Sequence, residues 1–167
     1  NGEFTVNIAL ICNGNPIMGV IYVPVKEELY FAMEGLGSYK VSVNSVIENL
    51  ETLISSSDLL PIDYKRANYV IVGSRSHTSA ETELFFDEMK EKHVNIEVLA
   101  VGSSLKLCMV AEGKADAYPR YAPTMEWDTG AGHAIAKYAG FSVKQYNSTE
   151  DVIYNKENLL NPWFLVK

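Results

Sequence analysis

From Phe4 to Cys12 apolar and polar residues alternate before giving way to an apolar run, and Ile17 to Val23 repeats the pattern. Asn13-Gly14-Asn15-Pro16 lies between them as a turn, so the two stretches predict a β-hairpin. Pro24 ends the second strand, Glu28 to Met33 supplies a third, Glu34-Gly35-Leu36-Gly37 turns the chain, and Ser38 to Val43 pairs as a fourth. The expected product is an antiparallel meander. Ser42 to Asp63 is polar and serine-rich around one apolar stretch, Val46 to Leu60; a surface helix and a long connection fit it equally well.

From Tyr69 the pattern changes to strand, turn, helix. Tyr69-Val70-Ile71-Val72-Gly73 reads as a short buried strand, Ser74-Arg75-Ser76-His77 as a loop, and Thr78-Ser79-Ala80-Glu81 as a capping box opening a helix to about Lys92. Ile96 to Val101 is a second strand, and Gly102-Ser103-Ser104 turns into a helix over Leu105 to Glu112, closed by Gly113. Ala115 to Arg120 reads as a third strand and Ser142 to Tyr146 as a last one. Between these two lies Glu126-Trp127-Asp128-Thr129-Gly130-Ala131-Gly132-His133-Ala134, followed by Ile135, Tyr138 and Ala139 at helical spacing and a glycine, Gly140, suited to the left-handed C′ position. Strands alternating with helices predict an α/β fold with a mixed, mostly parallel sheet, whose ligands gather where strand ends meet helix N-termini. His77, Ser103, Lys106, Arg120 and Asp128 all fall on that rim.

Composition narrows the picture. The net charge of −7 argues against a nucleic-acid polymer as partner, while leaving room for a small basic pocket. No apolar run is long enough to span a bilayer, so no transmembrane segment is expected. Cys12 and Cys108 both sit in apolar runs, which predicts buried free thiols and a cytoplasmic setting.

Each rim residue has an ordinary reading. Asp128 is placed to cap its helix, Ser103 and Ser104 to cap theirs, His77 to sit solvated in a turn, and Arg120 to make a surface ion pair. Tyr118, Tyr121 and Trp127 read as packing. Two glycines in the first turn after Asp128 run against the ordinary reading, since each costs about 1 kcal/mol of helix propensity relative to alanine. That cost suits a backbone that closely approaches another element or a ligand. Lys106 stands at the unfavourable end of its helix dipole, a cost offset by an anion at the same terminus, and Arg120 presents a planar donor fork suited to phosphate. Together these residues describe an anion pocket, with Asp128 placed to hold a hard cation such as Mg²⁺ beside a phosphoester.

Gly102-Ser103-Ser104-Leu105-Lys106, Ala111-Glu112-Gly113, Ala115-Asp116-Ala117-Tyr118-Pro119-Arg120 and Trp127-Asp128-Thr129-Gly130-Ala131-Gly132 together resemble the C-terminal half of the 3′(2′),5′-bisphosphate nucleotidases of the CysQ type, in the inositol monophosphatase superfamily. Residues 1–10 and Ser74-Arg75-Ser76-His77 match the nucleotidase branch as well, and only Gly130 departs, standing where alanine is more usual. The resemblance implies a layered α+β sandwich of the inositol monophosphatase type. Residues 1–66 would be the remainder of an antiparallel, metal-site domain plus a connection, and residues 67–167 a C-terminal α/β domain with the nucleotide-binding rim.

It also implies a Mg²⁺-dependent, lithium-sensitive phosphatase with two or more metal ions, converting adenosine 3′,5′-bisphosphate to AMP in sulfate assimilation, and acting on the sulfated nucleotide or a related small phosphoester. Asp128 would be the catalytic metal ligand, also neighbouring substrate, and His77, Ser103, Lys106 and Arg120 would bind the nucleotide and its phosphate. The superfamily's Glu-Glu pair and Asp-Pro-x-Asp-Gly-Thr segment have no counterpart here. The resemblance therefore implies a C-terminal portion with the N-terminal part of the fold missing, inactive alone, and self-associating through an exposed sheet edge. An inositol monophosphatase or fructose bisphosphatase-like enzyme, and a non-catalytic nucleotide- or anion-binding module, are the competing readings.

Overall fold

The computed structural model describes residues 3–43, 47–73 and 79–167. The meander forms as expected. Strand β1 (Val6–Cys12) turns through Asn13 and Gly14, both at positive φ, into β2 (Asn15–Val23), and β3 (Glu28–Met33) and β4 (Gly37–Ser42) follow antiparallel. The turn is shorter than anticipated, because Pro16 lies within β2. It faces Ile11 just where the register shifts, a place where a missing N–H breaks no ladder bond.

The ambiguous segment holds both a short helix, α1 (Leu50–Ser55), and a fifth strand, β5 (Asp58–Leu59), paired with β4. Two residues are too few for alternation to announce a strand.

The second half opens with β6 (Tyr69–Gly73), α2 (Ala80–Lys92) and β7 (Ile96–Ala100), a parallel strand pair joined by a helix. Ser79 caps α2, its hydroxyl accepting from the Thr82 N–H. Then come α3 (Leu105–Glu112), β8 (Tyr118–Arg120), α4 (Glu126–Tyr138), β9 (Val143–Gln145) and β10 (Phe164–Val166). Parallel pairing among the described residues is confined to β6–β7 and a bridge from Ile71 to Ala117. The chain returns after β9 to lay β10 between β8 and β9, antiparallel to both. The sheet is mixed as predicted, with less parallel character than the strand–helix alternation suggested. The cause is β10, a three-residue strand too short to read from sequence.

Helix α4 lies on the meander with almost no side chain between them. A Cβ at Gly19 of β2 would stand 2.3 Å from the Ala131 carbonyl oxygen, and one at Gly132 would stand 2.6 Å from Leu107 of α3. Gly19 of β2 thus serves the close approach of helix to sheet, and Gly132 of α4 that of helix to helix. The helix ends at Gly140 with φ +95°, as predicted. Ile21, Val23 and Tyr30 of the meander share one core with Val70, Val72, Leu107, Val110 and Ile135.

The opposite face of the meander is apolar as well. The register aligns Ile8, Val20, Phe31, Tyr39 and Leu59 across all five strands, and Ile8 is 57% exposed, between Val6 and Leu10 that are half exposed. Two expectations fail at this stage. Cys12 is exposed, because edge strand β1 has no neighbour beyond it, while Cys108 is buried; both are free thiols. Trp127 is 62% exposed rather than packed; it stands on the α4 face that carries Gly130 and Ala131, and with them and Asn7, Ala9 and Ile11 of β1 it lines an open cleft of about 290 Å³. No described helix is long and apolar enough to cross a membrane.

Candidate active site

Ser103, Lys106, Arg120 and Asp128 line one cleft of about 310 Å³, together with Asn7, Ser104, Tyr118, Thr124 and Thr129. Four of the five residues singled out on the rim are thus brought together. The fifth, His77, lies outside the described residues.

Asp128 is exposed in the first turn of α4. Its Oδ2 accepts a 2.9 Å hydrogen bond from the N–H of Met125, the residue that precedes the helix. Asp128 is therefore not the N-cap, a place that Met125 takes, but the third helical residue reaching back to it with one oxygen, and the carboxylate still faces the cleft. Four further contacts hold this turn. The Glu126 carboxylate accepts from the Asn155 and Lys156 N–H groups and pairs with the Lys156 ammonium, and the Glu126 N–H donates to Leu159.

Ser103 and Ser104 do not cap α3 with their side chains. Ser103 sits at φ +53° and meets Thr5 Oγ1 at 2.7 Å, while Ser104 meets Thr5 at 2.8 Å and donates to Asn7 Oδ1 at 2.7 Å. The Glu3 carboxylate accepts from the Gly102 N–H. The 102–104 turn is thereby tied to the start of β1, so the cleft wall depends on residues almost a hundred positions apart. Lys106 is 6% exposed; its ammonium donates to the Val101 and Ser103 carbonyls and lies over the Tyr118 ring at 5.6 Å. Its charge is built into the wall, drawing anions by field while bracing the turn. Arg120 donates from Nη2 to the Pro123 carbonyl, and its buried Nε has no partner. Burial raises the Tyr118 hydroxyl's pKa; Arg120 draws it down and Asp128 pushes it up, as befits a ring lying between them. Tyr118 and Tyr121 are core residues.

A divalent cation would find one carboxylate here. Asp128 is the sole carboxylate among the described residues lining the cleft, and no described group of three or more His, Cys, Asp or Glu side chains could hold a metal. One carboxylate plus substrate oxygens suits a single Mg²⁺ and falls short of a two-metal clamp.

The whole arrangement has known counterparts. Residues 1–163 match the inositol monophosphatase family. The chain belongs to that family. Within the family it is 42% identical over 166 residues to the 3′(2′),5′-bisphosphate nucleotidase CysQ of Shigella flexneri and 41% identical to that of Escherichia coli K12. In each case the match takes in 99% of this chain and 61% of the relative. A crystal structure of CysQ from Bacteroides thetaiotaomicron superposes with a TM-score of 0.94 at 55% identity, over 99% of this chain and 63% of that one. A family member from further off, 2′AMP-bound SaIMPase-II, shares the fold at a TM-score of 0.67 and 19% identity. The chain spans about three-fifths of the length of the relatives it matches.

The residues that sequence reasoning overlooked are those that hold the site in shape: Thr5, Asn7, Thr124, Thr129, Tyr154 and Asn161. Only Asn7 carries a readable signal, a polar residue at a position of β1 that faces α4. The others are threonines, a tyrosine and a loop asparagine of a kind found throughout the chain.

Proposed function

We propose that this chain is the nucleotide-holding part of a Mg²⁺-dependent phosphatase that removes the 3′-phosphate of adenosine 3′,5′-bisphosphate, giving AMP. The observation that carries the reading is the convergence of Ser103, Lys106, Arg120 and Asp128 on one cleft, in a chain 42% identical to a bisphosphate nucleotidase. Water attacks the phosphorus, the bond to O3′ breaks, and O3′ leaves with a proton as the ribose hydroxyl. Lys106 supplies fixed positive charge behind the phosphate and Arg120 a donor fork beside it; Ser103, and His77 by its motif, complete the anion's surroundings. Asp128 is the one carboxylate that the described residues lining the cleft would offer to Mg²⁺, which when bound would supply Lewis-acid polarisation of phosphoryl oxygens. With this reading go lithium sensitivity, a role in sulfate assimilation and a cytoplasmic setting. Because the cleft offers a single carboxylate, the 167-residue chain binds the nucleotide and turns it over little or not at all.

Calorimetric titration tests this directly, with adenosine 3′,5′-bisphosphate, inositol 1-phosphate and fructose 1,6-bisphosphate as rival ligands. The bisphosphate nucleotide should bind most tightly, and Arg120→Ala should weaken it by roughly tenfold or more, the loss of a charged hydrogen-bonding partner. Preference for either sugar phosphate would replace the nucleotidase reading with its alternative. Rapid Mg²⁺-dependent phosphate release by the chain would overturn the single-carboxylate argument.

The exposed apolar side chains Val6, Ile8 and Leu10 on the uncharged edge strand β1 also favour pairing between two copies of the chain. Sedimentation velocity should then show a concentration-dependent dimer, which Ile8→Lys converts to monomer.

A further inference from the structure

Asn161 lies in the loop before β10 and is 5% exposed. Its backbone N–H donates to the Thr124 carbonyl at 2.8 Å. Its side-chain nitrogen lies 2.8 Å from the Met125 carbonyl, 2.9 Å from Thr129 Oγ1 and 3.2 Å from Thr124 Oγ1. A carbonyl only accepts, so the contact with Met125 fixes which end of the amide is nitrogen. Two N–H hydrogens are thus shared among three acceptors, all in the strand-like approach and first turn of α4. The other end of the amide is left bare: Oδ1 is buried and has no partner.

A leucine of similar volume would fill the same space without burying an unpaired acceptor, and buried polar groups without partners are disfavoured in folded proteins. What the amide provides, and leucine lacks, is its hold on Met125. The N–H of Met125 fixes Asp128 Oδ2, while the Met125 carbonyl accepts from the Asn161 amide at 2.8 Å and from the Asp128 N–H at 3.0 Å, so the amide braces the same turn from outside the helix. One peptide unit lies on each side of that residue, so the position of the carboxylate is set through a single backbone link. Thr124 and Thr129, the other two residues the amide reaches, line the same cleft as Asp128. Thr129 Oγ1 is in turn 3.3 Å from the Tyr154 hydroxyl, which is 3.0 Å from His133 Nδ1. The chain of contacts runs from the cleft into the buried side of α4.

We propose that Asn161 is a positioning residue of the cleft, fixing through Met125 the direction in which Asp128 presents its carboxylate to a cation and phosphoester. The inference rests on the functional reading above for its ligand but not for its geometry, and the test separates the two. Amide hydrogen exchange on the 167-residue chain reads the geometry without any ligand. In Asn161→Ala the Met125 N–H should lose its protection by about tenfold or more, while the Thr82 N–H, capped by Ser79 at a distant helix, keeps its own. Asn161→Ser, with one donor, should fall between. If Met125 protection is unchanged in both variants, or Thr82 falls in parallel, the positioning role is wrong.

The second readout is binding of adenosine 3′,5′-bisphosphate with and without Mg²⁺. Asn161→Ala should reduce the Mg²⁺-dependent gain in affinity by about tenfold, the effect typical of residues that orient a metal ligand. Metal-free affinity, which rests on Lys106 and Arg120, should hold within about twofold. In an Asp128→Asn background the same substitution should have no further effect on that gain. Equal losses with and without Mg²⁺ would mark Asn161 as merely structural. Absence of any Mg²⁺-dependent gain in the unmodified chain, alongside the expected exchange result, would sink the phosphatase reading and leave the positioning role standing.

Discussion

Helix α3 ends on Glu112 and helix α4 begins near Asp128, and these two carboxylates show what separates a structural acid from one left available. Glu112 is 1% exposed and bonded to four donors. Its Oε1 accepts from Lys40, Tyr64 and Lys114 at 3.0, 2.8 and 2.7 Å, and its Oε2 accepts from Tyr30 at 2.8 Å. Burial pushes its pKa up, yet the hydrogen bonds from Lys114, Tyr64, Lys40 and Tyr30 outweigh that and hold it below the usual carboxylate range. Asp128 is exposed and receives one backbone N–H. A buried carboxylate shared by four donors from its own chain is closed to a ligand, whereas an exposed one tethered by a single oxygen keeps the other within reach of one. Sequence position at a helix end does not distinguish them; the number of donors that reach each one does.

Removing Glu112 should therefore do the larger damage. Glu112→Ala strips the shared acceptor from two lysines and two tyrosines that join β3, β4, the 60–64 segment and α3, and should cost roughly 3–5 kcal/mol of stability, as for other broken buried ion pairs. Urea denaturation measures it. Acid should mimic the mutation. A depressed folded-state pKa contributes stability that is complete above the ordinary carboxylate value and is lost as pH falls through the lowered one. An unfolding free energy unmoved by Glu112→Ala would erase the contrast between the two carboxylates.

The next effect belongs to α4. Burial lowers the pKa of His133 to about 4; Asp151 pulls it up while Lys137 and Lys144 push it further down. The folded chain thus refuses a proton that the unfolded chain accepts near its ordinary value of about 6.5. Stability should be complete above that pH and fall by about one proton's slope as pH drops toward 4, a total of roughly 3 kcal/mol. His133→Phe should flatten that segment of the stability–pH curve. Persistence of the full slope in the variant would assign it to carboxylates instead.

Much of this was legible beforehand, for reasons that differ by region. The first four strands announce themselves because alternation and the Asn13-Gly14 turn point the same way, and α3 is bounded as predicted because Ser104 and Gly113 flank an apolar run. Strands β5 and β10 are too short for periodicity, and β10 leaves a sheet expected to be mixed but mostly parallel with more antiparallel than parallel pairing. Ser103, Lys106, Arg120 and Asp128, which line one cleft, stand out in the sequence because charge and hydroxyl groups at strand–helix junctions are conspicuous. Their supports were not. The ammonium of Lys106 is spent on the Val101 and Ser103 carbonyls, and Glu112, quoted only as part of a motif, is the most heavily bonded carboxylate described. Hydrogen bonds spanning 36 or 72 positions, such as Asn161 to Met125 or Lys40 to Glu112, leave no local trace in a sequence.

The smallest stability effect is the sharpest test of the comparison. Asp128→Asn keeps an oxygen for the Met125 N–H and removes only a negative charge from the first turn of α4, where the helix dipole makes it favourable by about 0.3–1 kcal/mol. The variant should therefore unfold within about 1 kcal/mol of the unmodified chain. Its effect on ligands should be out of proportion to that loss. An amide is a poor ligand for Mg²⁺ compared with a carboxylate, so the gain in nucleotide affinity on adding Mg²⁺ should vanish. Metal-free binding should hold or tighten slightly, because a negative charge has left the neighbourhood of the phosphate. Opposite signs with and without Mg²⁺, at nearly constant stability, are what a carboxylate kept for a cation predicts. A loss of stability comparable to that of Glu112→Ala, with no metal dependence, would make Asp128 a second structural acid and remove the chemical centre from the cleft.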